Sequence, residues 1–288
     1  MNVILGVDIG GSTTKIVAFE EQERVLDCLQ VRAGDQITSL YGAIGHILYK
    51  CNLTLDQVTA FVLTGVGATM VKGDIYGIPT YRVKEFEAIG KGALELTGFS
   101  ETLVVSVGTG SAFVMASEKE CRHIGGSGVG GGTLTGLASK LLGETHIDAI
   151  VAAAQKGSLR QVDLAICDIS DEEIPSLPPH VTAANFGKVE STASKEDFAL
   201  GLINMVFETV GSLAAFACKN TEIKEIVVTG SVAALPMAQK YLDGVGMLHG
   251  VKFIIPEKAI FATAIGAALL YFSEFQDEAG SITALEIT

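Results

Sequence analysis

The apolar positions of this 288-residue chain fall into short runs whose spacing changes along the sequence. Unbroken runs at 3–8, 14–20 and 24–32 predict three strands in a meander. Ile37, Leu40, Ile44 and Leu48 then recur at helical intervals and predict a helix over 36–52. A short strand at 60–68, AFVLTGVGA, and a helix over 84–96 closed by Gly98 follow. There the pattern restarts. TLVVSVGTGSAFVMAS (102–117) reads as strand, turn and strand, and ECRHIGG as a third strand. A glycine run from Gly125 to Gly132 leads into helical spacing at 133–142. After a polar, proline-containing section (168–182) come a long helix at about 195–219, a strand (225–230), a helix, a strand (251–256) and a terminal helix (258–274). A meander followed by alternating helix and strand thus occurs twice. This predicts an α/β protein of two lobes, 1–99 and 100–288, whose last helix is free to pack back on the first lobe.

Composition narrows the classes. The chain is 48% hydrophobic with a mean hydropathy of +0.42. Its longest apolar stretches, such as FATAIGAALLYF, fall short of the roughly 18–20 residues that span a bilayer. The N-terminal apolar run lacks a basic leader and is interrupted by Asp8, so a cytoplasmic protein without a membrane partner is expected. A net charge of −13 argues against nucleic acid and anionic membrane as the principal partner. Five scattered cysteines include no CxxC pair, so neither a disulfide framework nor a zinc site is indicated. Any metal would be bound through oxygen.

The glycines carry the chemistry. DIGGSTTK (8–15) and SVGTGSAF (106–113) are both strand–turn–strand segments whose turns expose backbone N–H groups and hydroxyls to an anion. The candidate phosphate-binding residues are Gly10, Gly11, Ser12 and Thr13 in the first turn and Gly108, Thr109, Gly110 and Ser111 in the second. Asp8 is placed to hold Mg²⁺, and Lys15 to neutralise a transferring phosphoryl group. A third segment, VVTGSVAALP (227–236), offers Gly230 and Ser231 to a nucleoside. The glycine run adds Gly130, Gly131, Gly132 and Thr133 at a helix N-terminus expected to face phosphate. One such turn alone is better explained by a structural hairpin; two turns and a third strand end in order point to a nucleotide. The chain has no G-x-x-x-x-G-K-[ST] loop. Its G-x-G-x-x-G at Gly126, Gly128 and Gly131 follows a meander and not the first strand of a βαβ unit, which disfavours a dinucleotide site.

In VKEFEAIGKGALELTG, Glu87, Lys91 and Glu95 form a solvated stripe, whereas Glu85 shares its helix face with Ile89, Gly92 and Leu96. A carboxylate there is either a general base facing a cleft or a first-turn glutamate satisfied by nearby N–H groups.

The duplicated order resembles the two-lobed ribonuclease H-like arrangement of the actin, sugar-kinase and Hsp70 superfamily, with ATP in an interlobe cleft. More narrowly, DIGGSTTK, KEFEAIGKG, SVGTGSAF, GGSGVGGGTLTGL, GSLRQVDL, TAANFGKV, VVTGS and FATAIGA occur in the order seen in type II pantothenate kinases. GxGVGGGTxxGL and TAANFG are the specific part. The resemblance implies phosphorylation of pantothenate to 4′-phosphopantothenate, towards coenzyme A, with ATP and Mg²⁺. It makes Glu85 the catalytic base, Asp8 the magnesium-associated aspartate and Lys15 the lysine of the first loop. It further implies acceptor contacts at Ser106, Arg122, His123 and Gly125, and a homodimer joined through the 195–219 helix. The apolar stripe of that helix (Phe198, Leu202, Met205, Val206, Leu213) fits core packing equally well. Two positions depart from the pattern. His123 stands where an arginine is expected, with Arg122 one residue earlier and so on the opposite face of a regular strand. Gly157-Ser158 replaces Gly-Asp. The alternatives are a kinase of a related hydroxyl acceptor (pantetheine-like or a sugar), an actin-fold ATPase switch, and a binding protein without activity.

Overall fold

The computed structural model describes residues 3–20, 24–172, 174–175 and 177–275. Strands β1 (Val3–Ile9), β2 (Thr13–Glu20) and β3 (Arg24–Arg32) form the expected meander. They are followed by helix α1 (Gln36–Cys51), β4 (Val58–Thr64), β5 (Thr80–Arg82) and α2 (Glu85–Thr97). The second run comprises β6 (Glu101–Val107), β7 (Ser111–Ser117), β8 (Cys121–Ser127), α3 (Gly131–Leu141) and α4 (Ile147–Ala154). A short ribbon of β9 (Leu164–Ala165) and β10 (Thr182–Ala184) leads to α5 (Lys195–Cys218), β11 (Glu225–Thr229), α6 (Ala238–His249), β12 (Lys252–Ile254) and α7 (Ala262–Glu274).

The duplication is exact at the level of topology. One sheet has the order β3-β2-β1-β4-β5 and the other β8-β7-β6-β11-β12, the same arrangement counted within each run. In the first, β1, β2 and β3 pair antiparallel, while β4 joins β1, and β5 joins β4, in parallel. In the second, the three-residue turns between β6, β7 and β8 are too short for a crossover, so these neighbours also run antiparallel.

The two compact units are not the two halves of the sequence. The first takes the chain up to Ser106, Val114–Ile124 and the chain from Pro256 onward; the second takes Val107–Phe113 and Gly125–Ile255. α7 packs on β1, β4 and α2 in the first unit, the return that the sequence left open for the last helix.

Strand alternation assigns the faces of the first sheet. Val3, Leu5, Val7 and Ile9 point with Ile16 and Ala18 towards Leu40, Ala43, Ile44 and Ile47 of α1. Ile4, Val17, Phe19, Ala60 and Val62 point the other way, towards Ala88 of α2 and the alanines of α7. The same alternation carries Asp8, Lys15 and Thr64 onto this second face, beside α2. Helices α2 and α7 touch backbone to backbone: a side chain on Gly92 would run into the Ala262 carbonyl, and one on Gly266 into that of Ala88.

In the second unit α5 is a core helix. Leu202 and Val206 are buried, Phe198 stacks on Phe186, and of the expected stripe only Leu213 is exposed, next to Phe216. Contrary to the sequence reading, α5 is long and apolar enough to cross a bilayer, but most of it is buried inside the unit.

The backbone contact at Gly92 makes a signed expectation possible. Gly92→Ala forces α2 and α7 apart and should lower stability by about 1–3 kcal/mol. Gly45→Ala, on the open side of α1 where an added Cβ meets nothing within 4 Å, should instead raise it by roughly 0.5–1 kcal/mol. Urea denaturation of the two variants checks both signs.

Candidate functional site

Asp8 and Lys15 are direct cross-strand partners in the β1–β2 register. Their side chains form an ion pair, Lys15 Nζ to Asp8 Oδ2 at 3.1 Å, and the residues are only 7% and 5% exposed for Lys15 and Asp8. The turn that separates them, Gly10 to Ser12, is tied on both sides. Gly10 N–H donates to the Thr13 carbonyl at 3.0 Å, Ala33 N–H to the Ser12 carbonyl at 2.9 Å, and Gln36 Nε2 to the Gly10 carbonyl at 3.2 Å. Gly11 and Ser12 are exposed at its tip.

The parallel partner of Asp8 on β4 is Thr64, whose hydroxyl donates to the Val83 carbonyl at 3.2 Å and so leads the chain into α2. Gly65 comes next with φ +85°, and a Cβ there would stand 2.6 Å from Asp8 Oδ1. Only glycine fits both the left-handed backbone and the space over the free carboxylate oxygen. From the sequence Gly65 reads only as the end of a strand and Thr64 is not singled out, although the repeat of VLTG (62–65) as VVTG (227–230) signals both.

Glu85 is the first residue of α2 and is half-buried. Burial pushes its carboxyl above the ordinary glutamate range; the Asp8 carboxylate adds to the rise and the Lys15 ammonium opposes it. The charges of Asp8 and Lys15 thus both bear on Glu85, in opposite senses.

The acceptor candidates on β8 separate by face. His123 stacks on Phe86, with ring centroids 4.0 Å apart and planes 7° from parallel. β8 runs without interruption, so Arg122 points to the opposite face and does not take the place of His123. Ser106 is half-buried near the end of β6, and Gly125 lies farther along β8. Gly157-Ser158 docks on the start of α5, where Ser158 N–H donates to Asp197 Oδ1 at 2.7 Å.

In the second unit the turn Gly108–Gly110 meets the N-terminus of α3. Gly131 N–H donates to the Gly108 carbonyl and Gly132 N–H to the Thr109 carbonyl, both at 2.8 Å. Thr133 Oγ1 donates to the Gly128 carbonyl at 2.9 Å and accepts from Gly130 N–H at 3.3 Å. The expectation that this helix turns its first amides towards phosphate is therefore corrected: those of Gly131 and Gly132 clamp the turn. Ser111 is buried beneath it, 3.5 Å from the Ser127 carbonyl. Gly230 has φ +91° and crosses Val107, whose carbonyl accepts from Val232 N–H at 3.0 Å; Ser231 lies between them in sequence. Two fully buried hydroxyls beside these turns, Thr14 and Thr229, have no protein hydrogen-bond partner.

A Mg²⁺ ion fits the donors of the first unit in one manner only. Among the described residues there is no cluster of three or more histidines, cysteines or carboxylates. The ion pair with Lys15 engages Oδ2 of Asp8, and Oδ1 beside Gly65 is the oxygen that would suit an ion held by a single carboxylate, water and phosphate oxygens.

The Fumble family profile matches residues 98–241, half of the chain. The chain belongs to the Fumble family. This Fumble-family chain is 28% identical over 277 residues to a type II pantothenate kinase of Staphylococcus haemolyticus, covering 92% of itself and 99% of that protein. Its fold is similar to the activator of 2-hydroxyisocaproyl-CoA dehydratase from Clostridium difficile with bound ADPNP, at TM-score 0.72 and 15% identity over 97% of each chain. It is also similar to a ROK family glucokinase from Streptomyces griseus in complex with glucose and AMPPNP, at TM-score 0.61 and 14% identity over 93% of this chain and 99% of that one. These likenesses establish the two-lobed, actin-like α/β fold for this Fumble-family member.

The buried pair allows a test by stability. Lys15→Met leaves the Asp8 charge buried without its counter-ion and should cost about 3–5 kcal/mol, whereas Asp8→Asn with Lys15→Met together should cost less than Lys15→Met alone. A double-mutant cycle in urea measures the coupling.

Proposed function

We propose that the chain is a kinase that transfers the terminal phosphoryl group of ATP to the hydroxyl of pantothenate, giving 4′-phosphopantothenate on the way to coenzyme A. The observation that carries the reading is Glu85, a carboxyl with a raised pKa at a helix start, grouped with a buried Asp8–Lys15 pair beside a glycine turn. Membership of the Fumble family and the likeness to a named pantothenate kinase support it.

In this reading each residue has a defined task. Glu85 accepts the hydroxyl proton, and its raised pKa makes it a stronger base than an ordinary carboxylate. Lys15 places its ammonium against the charge that develops on the transferred group, in surroundings where water screens little. Asp8 would hold Mg²⁺, which supplies neutralisation of the phosphate oxygens when bound. The tips of the two turns, Gly11-Ser12 and Thr109-Gly110, would offer donors to phosphate, the Gly10 and Gly108 amides being bonded within their turns, and Gly230-Ser231 would offer a surface for the nucleoside. Gly130 and Thr133 shape the second turn from behind.

The reading includes a cytoplasmic homodimer. The free cysteines Cys28, Cys51, Cys121, Cys167 and Cys218 fit a reducing compartment. On α5, Leu213 and Phe216 are the apolar side chains left for a second copy.

A second acceptor class is favoured by one observation. His123 lies flat on Phe86 and Arg122 faces away, so no guanidinium occupies the expected position for a carboxylate acceptor. An uncharged relative such as pantetheine then competes with pantothenate.

The test is ADP release with magnesium ATP and a panel of pantothenate, pantetheine and sugars, with mass detection of the product. Pantothenate or pantetheine should be phosphorylated and sugars not; chelating the metal should abolish turnover. Glu85→Gln should lower kcat by about 10²–10⁴-fold. Because a base works deprotonated and the Glu85 pKa is raised, the acidic limb of kcat should lie above the usual glutamate value of about 4.3, with activity rising as pH rises through it. ATP hydrolysis that ignores every acceptor would contradict the kinase reading.

A further inference from the structure

We propose that His123 is a positioning residue for Glu85: stacked on Phe86, it fixes the rotation of the first turn of α2 and thereby the direction of the Glu85 side chain. The inference rests on the kinase reading above and adds a residue that acts through another.

The argument starts from how α2 is held. It is held against α7 by the backbone contacts at Gly92 and Ala88. Glu85, Phe86 and Glu87 precede those contacts. The N-cap is Lys84, which makes no side-chain cap to the helix; its ammonium pairs instead with Glu87 at 2.8 Å. A helix start without a capping side chain frays more readily, because its first N–H groups lack partners.

β8 supplies what the cap does not. Strand alternation puts Cys121 and His123 on one face, and these meet Gly90 and Phe86, which are four residues apart on α2. The spacing of two along the strand, about 6.6–6.8 Å, approximates the rise of four along the helix, about 6 Å. One row of α2 therefore rests on one row of β8 at two points. Cys121 sits where Gly90 has no side chain, and the imidazole covers the Phe86 ring. With that row fixed, Glu85 is turned about 100° around the helix axis from Phe86, away from β8. That is the flank of α2 that also carries Gly92, which meets α7.

The stack is not core packing. Phe86 is 36% exposed and His123 is exposed as well. Two flat rings 4.0 Å apart and 7° from parallel have a defined mutual orientation, which rotation of the helix would change. An aromatic residue at 123 should therefore preserve the effect, and an aliphatic one should not.

The experiment compares wild type with His123→Ala, His123→Phe and Phe86→Ala, using magnesium ATP at saturation and pantothenate as the varied substrate. His123→Ala should lower kcat about tenfold with little change in KM, since displacement of a reacting group acts on the chemical step. His123→Phe should restore kcat to within about twofold, because the ring and not its nitrogens carries the effect. Phe86→Ala should resemble His123→Ala, and the double variant should be no worse than either single one. The acidic limb of kcat should move down towards the usual glutamate value in His123→Ala, as water reaches a loosened Glu85. The charged groups that set that limb are Asp8 on β1 and Lys15 on β2; Lys84 and Glu87 on α2 pair with each other, and His123 is the titratable group that β8 brings against the first turn.

A rise in KM for pantothenate with unchanged kcat, not rescued by His123→Phe, would make His123 an acceptor contact and overturn the proposal. So would unchanged kinetics in all variants. If wild type phosphorylates no member of the panel, the kinase reading fails separately. Amide hydrogen exchange over 85–89 then still decides the role of the stack: faster exchange in His123→Ala and wild-type exchange in His123→Phe support it, and equal exchange in all three overturns it.

Discussion

The constraint on which the rest depends is an ion pair taken out of water. Asp8 and Lys15 sit opposite each other on β1 and β2, on the sheet face that carries α2 and α7. A buried pair adds little net stability, since the desolvation of both charges offsets their attraction. Its value lies in a fixed charge in a poorly screened place. Several neighbouring choices follow from keeping it. Position 65 must be glycine, because Asp8 Oδ1 occupies the space where any side chain would go. Thr64 turns its hydroxyl to Val83 and steers the chain into α2. The helix then begins at Glu85, within the field of both charges.

The internal duplication shows what is scaffold and what is chemistry. Both units use the same strand order, and both end the fourth strand in Thr-Gly with the glycine at positive φ, +85° in one and +91° in the other. That geometry is common property. The charges are not: the first turn lies between Asp8 and Lys15, while Gly108-Thr109-Gly110-Ser111 offers only backbone and hydroxyl. The turns are also braced differently. Gln36 at the start of α1 holds the first, and the leading amides of α3 clamp the second. One strand plan thus carries two differently charged and differently braced turns.

Much of this was legible in the sequence, for physical reasons. The two meanders, α1, α2, α5 and the glycine turns stood out because hydrophobic period and turn chemistry are local. Glu85 stood out as a carboxylate on an apolar helix face. What escaped depends on distant partners. β5, β9 and β10 are two or three residues long and exist only through the strands they pair with. The eight residues of α4 are too few to show a helical period. The use of the Gly131 and Gly132 amides inside the fold, and the stacking of His123 on Phe86, join segments that are tens of residues apart and leave no local mark. α7 returns to the first unit because its small residues, Gly266 among them, fit the face of α2. The sequence offers those glycines without saying which helix they meet.

The central claim is that Asp8, Lys15 and Glu85 form one electrostatic group. A carbon-13 NMR titration of the Glu85 side-chain carboxyl tests it most directly, in wild type and in two single variants. Removing the like charge with Asp8→Asn should move the Glu85 midpoint down, and removing the opposite charge with Lys15→Met should move it up. A midpoint unchanged in both variants would place Glu85 outside the reach of the pair and contradict the account.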